Sequence, residues 1–228
     1  MEVEKVFRNT RIYDLNGDYE AIHCRMGWKT NNPSSAVPKS KRGESKDYQQ
    51  NRNKTLQKAK SKIRRLIRTY KLFRFVTLTF AENMDETRAA DHEFRKFMKR
   101  LQRRYSEFKY IAVREFQDRG AIHYHLAVNS FIPQRLLSEL WGQGFVWIEK
   151  KKGKDDRLAN YLVKYITKHA NDERLQGVHS YLCSHGLKLS TVDRYFNSLD
   201  EVRDYLSSLG KKKDNQFICF FDDIVWIK

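Results

Sequence analysis

The chain has 228 residues, with 40% hydrophobic and 13% aromatic residues but only 10 glycines and 3 prolines. That composition excludes a wholly disordered chain, which lacks aromatic and β-branched residues, and a collagen-like or low-complexity one. Lys plus Arg number 45 against 28 Asp plus Glu, a net charge of +17, which points to a polyanionic partner, nucleic acid before an anionic membrane surface. No apolar run of about 18 residues occurs, so no spanning helix and no membrane partner are expected. Met1-Glu2-Val3-Glu4-Lys5 lacks the apolar core of a signal peptide. Cys24, Cys183 and Cys219 form no Cys-x-x-Cys, so the expected compartment is a reducing cytoplasm.

In chain order, Tyr19-Glu20-Ala21-Ile22-His23 reads as a strand. Residues 31–50, broken by Pro33 and Pro38, read as a polar loop or linker. Between Asn51 and Lys71 stand nine basic residues and no acidic one, with Leu56, Ile63, Leu66 and Ile67 at helical spacing. This predicts a basic helix whose self-repulsion an anion relieves. Phe73–Phe80 is a strand by composition. Glu86–Arg104 is an amphipathic helix with Phe94, Phe97, Met98 and Leu101 on one face. Strands at Tyr110–Phe116 and Ala121–Val128 follow, joined by the turn Asp118-Arg119-Gly120. Then come a short helix at Gln134–Trp141, a short strand at Phe145–Ile148 and a helix at Arg157–His169. A helix near Leu199–Leu206 and strands at Phe217–Phe221 and Ile224–Trp226 complete the reading. The order predicts an α+β fold, an antiparallel sheet with helices packed on one face. No Gly-x-x-x-x-Gly-Lys is present, so no phosphate loop drives a motor.

His123 and His125 flank Tyr124 on the third strand of this series, so both imidazoles point to one face. Alone, a His-x-His pair is a weak sign of metal. The preceding strand strengthens it. A three-residue hairpin loop with left-handed Gly120 sets Gln117 opposite Ala121 and Glu115 opposite His123. A two-residue loop would send Glu115 to the other face; Gln117 is the fallback ligand. Two imidazoles and a carboxylate suit Mn²⁺ or Mg²⁺ with open positions for phosphate oxygens.

Tyr161, Lys164, Tyr165 and Lys168 fall on one helical face, opposite Leu158, Leu162 and Ile166. The bland reading is tyrosine rings in packing contact with snorkelling lysines. The functional one is a phenol beside a metal-bound phosphate, with Lys164 stabilising the phenolate or a pentacovalent phosphate.

Phe75-Val76-Thr77-Leu78-Thr79-Phe80, His123-Tyr124-His125 and Tyr161-Leu162-Val163-Lys164-Tyr165 resemble, in order, the three motifs of the HUH endonucleases. They are most similar to rolling-circle replication initiators of plasmids and single-stranded-DNA phages, over about residues 70–190. The resemblance implies a ferredoxin-like or RNA-recognition-like sheet with the metal on its open face. Thr77 and Thr79 would be structural. His123, His125 and Glu115 would bind the divalent ion. Tyr161 or Tyr165 would attack the scissile phosphate, leaving a 5′-phosphotyrosine link and a free 3′-hydroxyl. Single-tyrosine relatives favour Tyr161, three residues before Lys164; two-tyrosine relatives suggest that both act. DNA contacts are expected from Arg64, Arg65, Arg68, Arg119 and Lys168. The expected partners are single-stranded DNA or an origin hairpin, and a host helicase with the replication machinery. In domain terms, 1–60 would be an N-terminal extension with the linker and the start of the basic helix. Residues 61–190 would be the nuclease domain, and 191–228 a C-terminal extension packed on it.

The same motifs occur in transposases and mobilisation relaxases of that superfamily, and the sheet alone also serves non-catalytic single-strand binding modules. Among weaker features, His179, Cys183 and His185 resemble zinc ligands but lack a fourth. Trp141 and Trp147 flank Gly142-Gln143-Gly144 beside a lysine run; core packing is their ordinary role, base stacking the functional one. The run at 211–213 reads as a solvated turn.

Overall fold

The computed structural model describes residues 7–29, 47–149, 156–168, 172–175, 177–210, 218–221 and 224–227. Most of the polar linker, the lysine run at 150–154, His169, Phe217 and the residues at 211–213 lie outside the described residues. The chain divides into two units, Ser40–Leu187 and the two chain ends, Met1–Lys39 with Lys188–Lys228.

Within Ser40–Leu187 the elements are α1 (Tyr48–Thr69), β3 (Arg74–Thr79), α2 (Thr87–Arg104), β4 (Tyr110–Phe116) and β5 (Ile122–Val128), then α3 (Gln134–Trp141), β6 (Val146–Glu149), α4 (Asp156–Lys168) and β7 (Leu182–Cys183). The two earlier strands, β1 (Phe7–Asp14) and β2 (Tyr19–Lys29), belong to the other unit. The sheet order is β6-β3-β5-β4-β7, and every pairing is antiparallel. From β3 to β6 this is the split β-α-β-β-α-β arrangement of the ferredoxin-like fold.

Local chemistry sets the elements. The Glu86 carboxylate accepts hydrogen bonds from the Arg88 and Ala89 amides and so caps α2. That helix lays Phe94, Phe97, Met98 and Leu101 against Val76, Leu78, Ala112, Tyr124 and Leu126. Each such Phe or Leu, fully buried, contributes about 1.5–3 kcal/mol. Helix α3 ends at Gly142, whose φ of 63° is the left-handed stop that a glycine adopts without strain. All of β5 is buried, as a strand covered on both faces must be.

That second cover is a departure from helices on one face only. Helices α2 and α3 take one face as expected. Helix α4 lies on the other, touching β4 and β5, with α1 packed on α4. The reason is that Phe75, Ile111, Val113 and Ala127 are all apolar at one end of that face, and Leu158, Leu162 and Ile166 of α4 are buried along with them.

The unit of chain ends is a sheet of order β8-β1-β2-β10-β9, from β1 (Phe7–Asp14), β2 (Tyr19–Lys29), β8 (Ser190–Arg194), β9 (Ile218–Phe221) and β10 (Ile224–Ile227). Helix α5 (Leu199–Ser208) buries Val202 and Leu206 with Ile12 and Ala21. Across β1 and β8 the Arg11 guanidinium donates to both Asp193 oxygens, at 2.6 and 2.7 Å. The boundaries at 39/40 and 187/188 differ from the sequence-derived 60 and 190, because the two ends pair with each other as strands. Among the described residues no helix is long and apolar enough to cross a membrane, and Cys24 and Cys183 are free thiols.

Candidate metal and nucleophile site

The β4–β5 hairpin has the three-residue loop. Gly120 sits at φ 91°, and the Gln117 amide donates to the Ala121 carbonyl at 2.9 Å. Glu115 therefore stands opposite His123, and Val113 opposite His125. Ligand atoms of Glu115, His123 and His125 all lie within 4.8 Å of one another. Thr77, across from His125 on β3, places its hydroxyl 3.1 Å from Nδ1 of that imidazole. This outer hydrogen bond fixes the ring so that Nε2 faces Glu115, 2.6 Å away.

The electrostatics are unequal across the cluster. Burial raises the Glu115 carboxyl, but hydrogen bonds from His125 and Lys168 outweigh it and hold the group down at about 2. Lys168 Nζ reaches Glu115 Oε1 at 2.6 Å. Burial, with His125 close by, pushes His123 down to about 4, so this imidazole is neutral at pH 7, the form that ligates metals. Its Nε2 is buried without a hydrogen-bond partner, a condition no other side-chain nitrogen or oxygen shares among the described residues. An orphaned buried nitrogen costs about 1–3 kcal/mol unless something completes it. A cavity of about 530 Å³ opens beside it, lined by Thr79, Glu115, Gln117, Asp118, Arg119, His123 and Lys168. Two nitrogens, one ionised carboxylate oxygen and open space fit a divalent ion such as Mn²⁺ or Mg²⁺.

Helix α4 brings the phenols to this face. The Tyr165 ring stacks on the His125 ring, centroids 3.8 Å apart. Tyr161 meets Phe75 edge-on at 5.0 Å. The Tyr165 hydroxyl donates to the Tyr161 oxygen at 2.6 Å, so the two phenol oxygens share one place. Burial and that hydrogen bond push the Tyr165 phenol above its ordinary range.

The other expected residues divide. Lys164 is exposed on α4. Arg119 is exposed on the cavity rim and donates to Gln117 Oε1 at 3.0 Å. Arg64 donates to Asn160 of α4 at 3.0 Å, and Arg68 is half-buried. Arg65 is buried among the packed residues of α1. Lys168, expected at DNA, is bonded to Glu115. His179, Cys183 and His185 form no ligand cluster among the described residues. Trp141 is fully buried and donates to the Thr79 carbonyl at 2.8 Å, whereas Trp147 is exposed. Sequence reasoning missed the hold of Thr77 on His125. The available signal was its place on β3, at the level where a third strand must cross the histidine pair.

Fold and site define a ferredoxin-like domain whose sheet carries an incomplete His-His-Glu cluster beside a tyrosine pair. Residues 73–170, a little under half of the chain and all within the Ser40–Leu187 unit, match the family described as replication-associated protein ORF2. Over these residues the chain is similar to a family named for its association with replication. No curated protein and no solved structure matches the chain.

Proposed function

We propose that this protein is a rolling-circle replication initiator, a site-specific endonuclease and strand transferase for single-stranded DNA. The observation that carries this reading is the hydrogen-bonded Tyr161–Tyr165 pair stacked against a ligand of the three-residue cluster. His123, His125 and Glu115 would hold Mn²⁺ or Mg²⁺, which when bound supplies a Lewis acid that polarises the scissile phosphodiester.

The protein's own residues do the rest. Thr77 orients His125. A tyrosine oxygen attacks phosphorus as the bond from phosphorus to the 3′-oxygen breaks. The phenol gives up one proton and the leaving 3′-oxygen gains one. The DNA 5′ end stays on the tyrosine as a phosphodiester, and the free 3′-hydroxyl can prime synthesis. Attack by a 3′-hydroxyl on that link is the same step reversed, and it rejoins DNA. Sequence resemblance favours Tyr161 as first nucleophile. The geometry favours Tyr165, which lies against His125 and is followed three residues later by Lys168, the same spacing as Tyr161 to Lys164. Two such units on one helix face suit one cleavage followed by a second. Lys164, exposed one turn from Tyr161, is placed to neutralise phosphate charge.

The test is incubation of the full chain with labelled single-stranded origin DNA and Mn²⁺, followed by a denaturing gel. A heat-stable protein–DNA band is expected, and EDTA or His123→Ala with His125→Ala removes it. Tyr161→Phe with Tyr165→Phe together leave no band. Each single variant keeps some first cleavage and its reversal but loses the second cleavage, with Tyr165→Phe losing more of the first. Binding that survives chelation with no covalent band from the unaltered chain would instead make this a binding module.

A further inference from the structure

The edge strand β6 and the residue just before it carry two large aromatic rings in the open. Phe145 is 58% exposed and Trp147 55% exposed, and their rings stack at 6.3 Å and 29°. Trp147 is paired with Thr77 in the sheet register. Opposed residues share a face, and the Thr77 side chain bonds His125, so Trp147 stands on the histidine face. Phe145 is two residues earlier, and its backbone meets Thr79 through the Thr79 amide, 2.9 Å from the Phe145 carbonyl. Thr79 pairs with His123. The two rings thus continue the rows that hold the histidines. They lie two strands away, about 10 Å at ordinary strand spacing.

The platform is rigid. A Cβ on Gly144 would come within 2.5 Å of the Ala81 amide nitrogen and the Thr79 carbonyl oxygen. Glycine there lets the chain press onto the end of β3 and fixes where Phe145 emerges. On the outer side, Gln134 Nε2 donates to the Val146 carbonyl at 2.7 Å. A backbone held in this way lowers the ordering cost of binding at the two rings.

We propose that Phe145 and Trp147 are a base-stacking platform for single-stranded DNA next to the cleavage site. Unpaired bases present π-faces to stack on, and duplex bases do not. A chain of net charge +17 repels a second copy of itself and attracts a polyanion, which selects nucleic acid over self-association as the occupant. The assignment rests on the proposed function for its substrate class, but not on cleavage.

The experiment measures binding of a fluorescein-labelled oligothymidine to the full chain by anisotropy, in EDTA, where no adduct forms. Trp147→Ala and Phe145→Ala should each weaken binding about tenfold, within the range for a lost base–aromatic stack. Trp147→Phe, which keeps a ring, should retain most of the affinity. It should also lose part of the tryptophan quenching seen when the unaltered chain binds. Duplex of the same length should respond little. Unchanged oligothymidine affinity in both alanine variants overturns the platform. So does an equal loss on duplex, or an alanine variant whose sedimentation changes while its affinity does not, which would mark an interface between copies. If the covalent band never forms yet these variants still lose affinity, the nicking reading fails and the platform stands.

Discussion

Arg114 and Glu115 are neighbours on β4, face opposite ways, and enter two carboxylate clusters of different character. On the α2 face, Asp91 accepts two bonds from the Arg114 fork at 2.7 and 2.6 Å and a third from Tyr124 at 2.8 Å. The remaining Arg114 nitrogen donates to the His179 carbonyl at 2.9 Å. The Asp91, Arg114 and Tyr124 side chains are all buried and partnered. On the other face, Glu115 has His125 and Lys168, but His123 Nε2 has nothing and a cavity opens beside it. A saturated buried network fixes a fold. A buried polar cluster one partner short is unfavourable by itself and makes sense as a receptor for what completes it. His123-Tyr124-His125 spans both, since alternation sends Tyr124 to the closed cluster and the imidazoles to the open one.

The contrast can be broken or sharpened in three measurements, the largest first. Asp91→Ala leaves the buried Arg114 without its counter-charge, which should cost about 3–5 kcal/mol, read as a lower urea midpoint at unchanged slope. His123→Phe should do the opposite to stability. It removes the orphan nitrogen and should leave the metal-free protein as stable or up to about 2 kcal/mol more so. It should also erase the thermal stabilisation by Mn²⁺, worth about 2.7 kcal/mol at a hundred times Kd in the unaltered chain. If His123→Phe costs as much as Asp91→Ala, the open cluster is structural and the contrast fails.

The third measurement isolates burial. Asp193 takes the same fork from Arg11 as Asp91 takes from Arg114, but the Arg11 side chain is 44% exposed. Asp193→Asn should therefore cost under about 1 kcal/mol. The Arg11 hydrogen bond, working against partial burial, lowers the Asp193 carboxyl below its ordinary value. A depressed folded value gives a contribution that is full above the unfolded pKa of about 3.9 and is lost as pH falls through the folded one. Urea unfolding of both proteins at neutral pH and in acid should show the small gap closing on acidification.

The parts of this molecule governed by neighbours in sequence were legible in it. Gly120 set the hairpin loop, and the loop set Glu115 opposite His123. The spacing of Phe94, Phe97, Met98 and Leu101 set α2. Strands β1 and β8 were missed because their own residues alternate poorly, with Asn9 and Thr10 buried in β1 and Ser190–Arg194 largely polar and exposed. Strand β8 is held by β1 across about 180 residues of chain, and β1 lies between it and β2. The stripe of Leu56, Ile63, Leu66 and Ile67 marks the packed side of α1, and the structure buries Arg65 along with it.

Sequence alone determined that two imidazoles share one face, because strand alternation acts over two residues; Gly120 favoured the turn that brings Glu115 to that face, and the structure has that turn. Only the tertiary structure decided that α4 lies on that same face, with Tyr165 on His125 and Lys168 on Glu115. It also separated Trp141, sealed in the core, from Trp147, left in the open. Such outcomes depend on which apolar surfaces find each other across long stretches of chain, and burial is a property of the whole packed unit rather than of any segment.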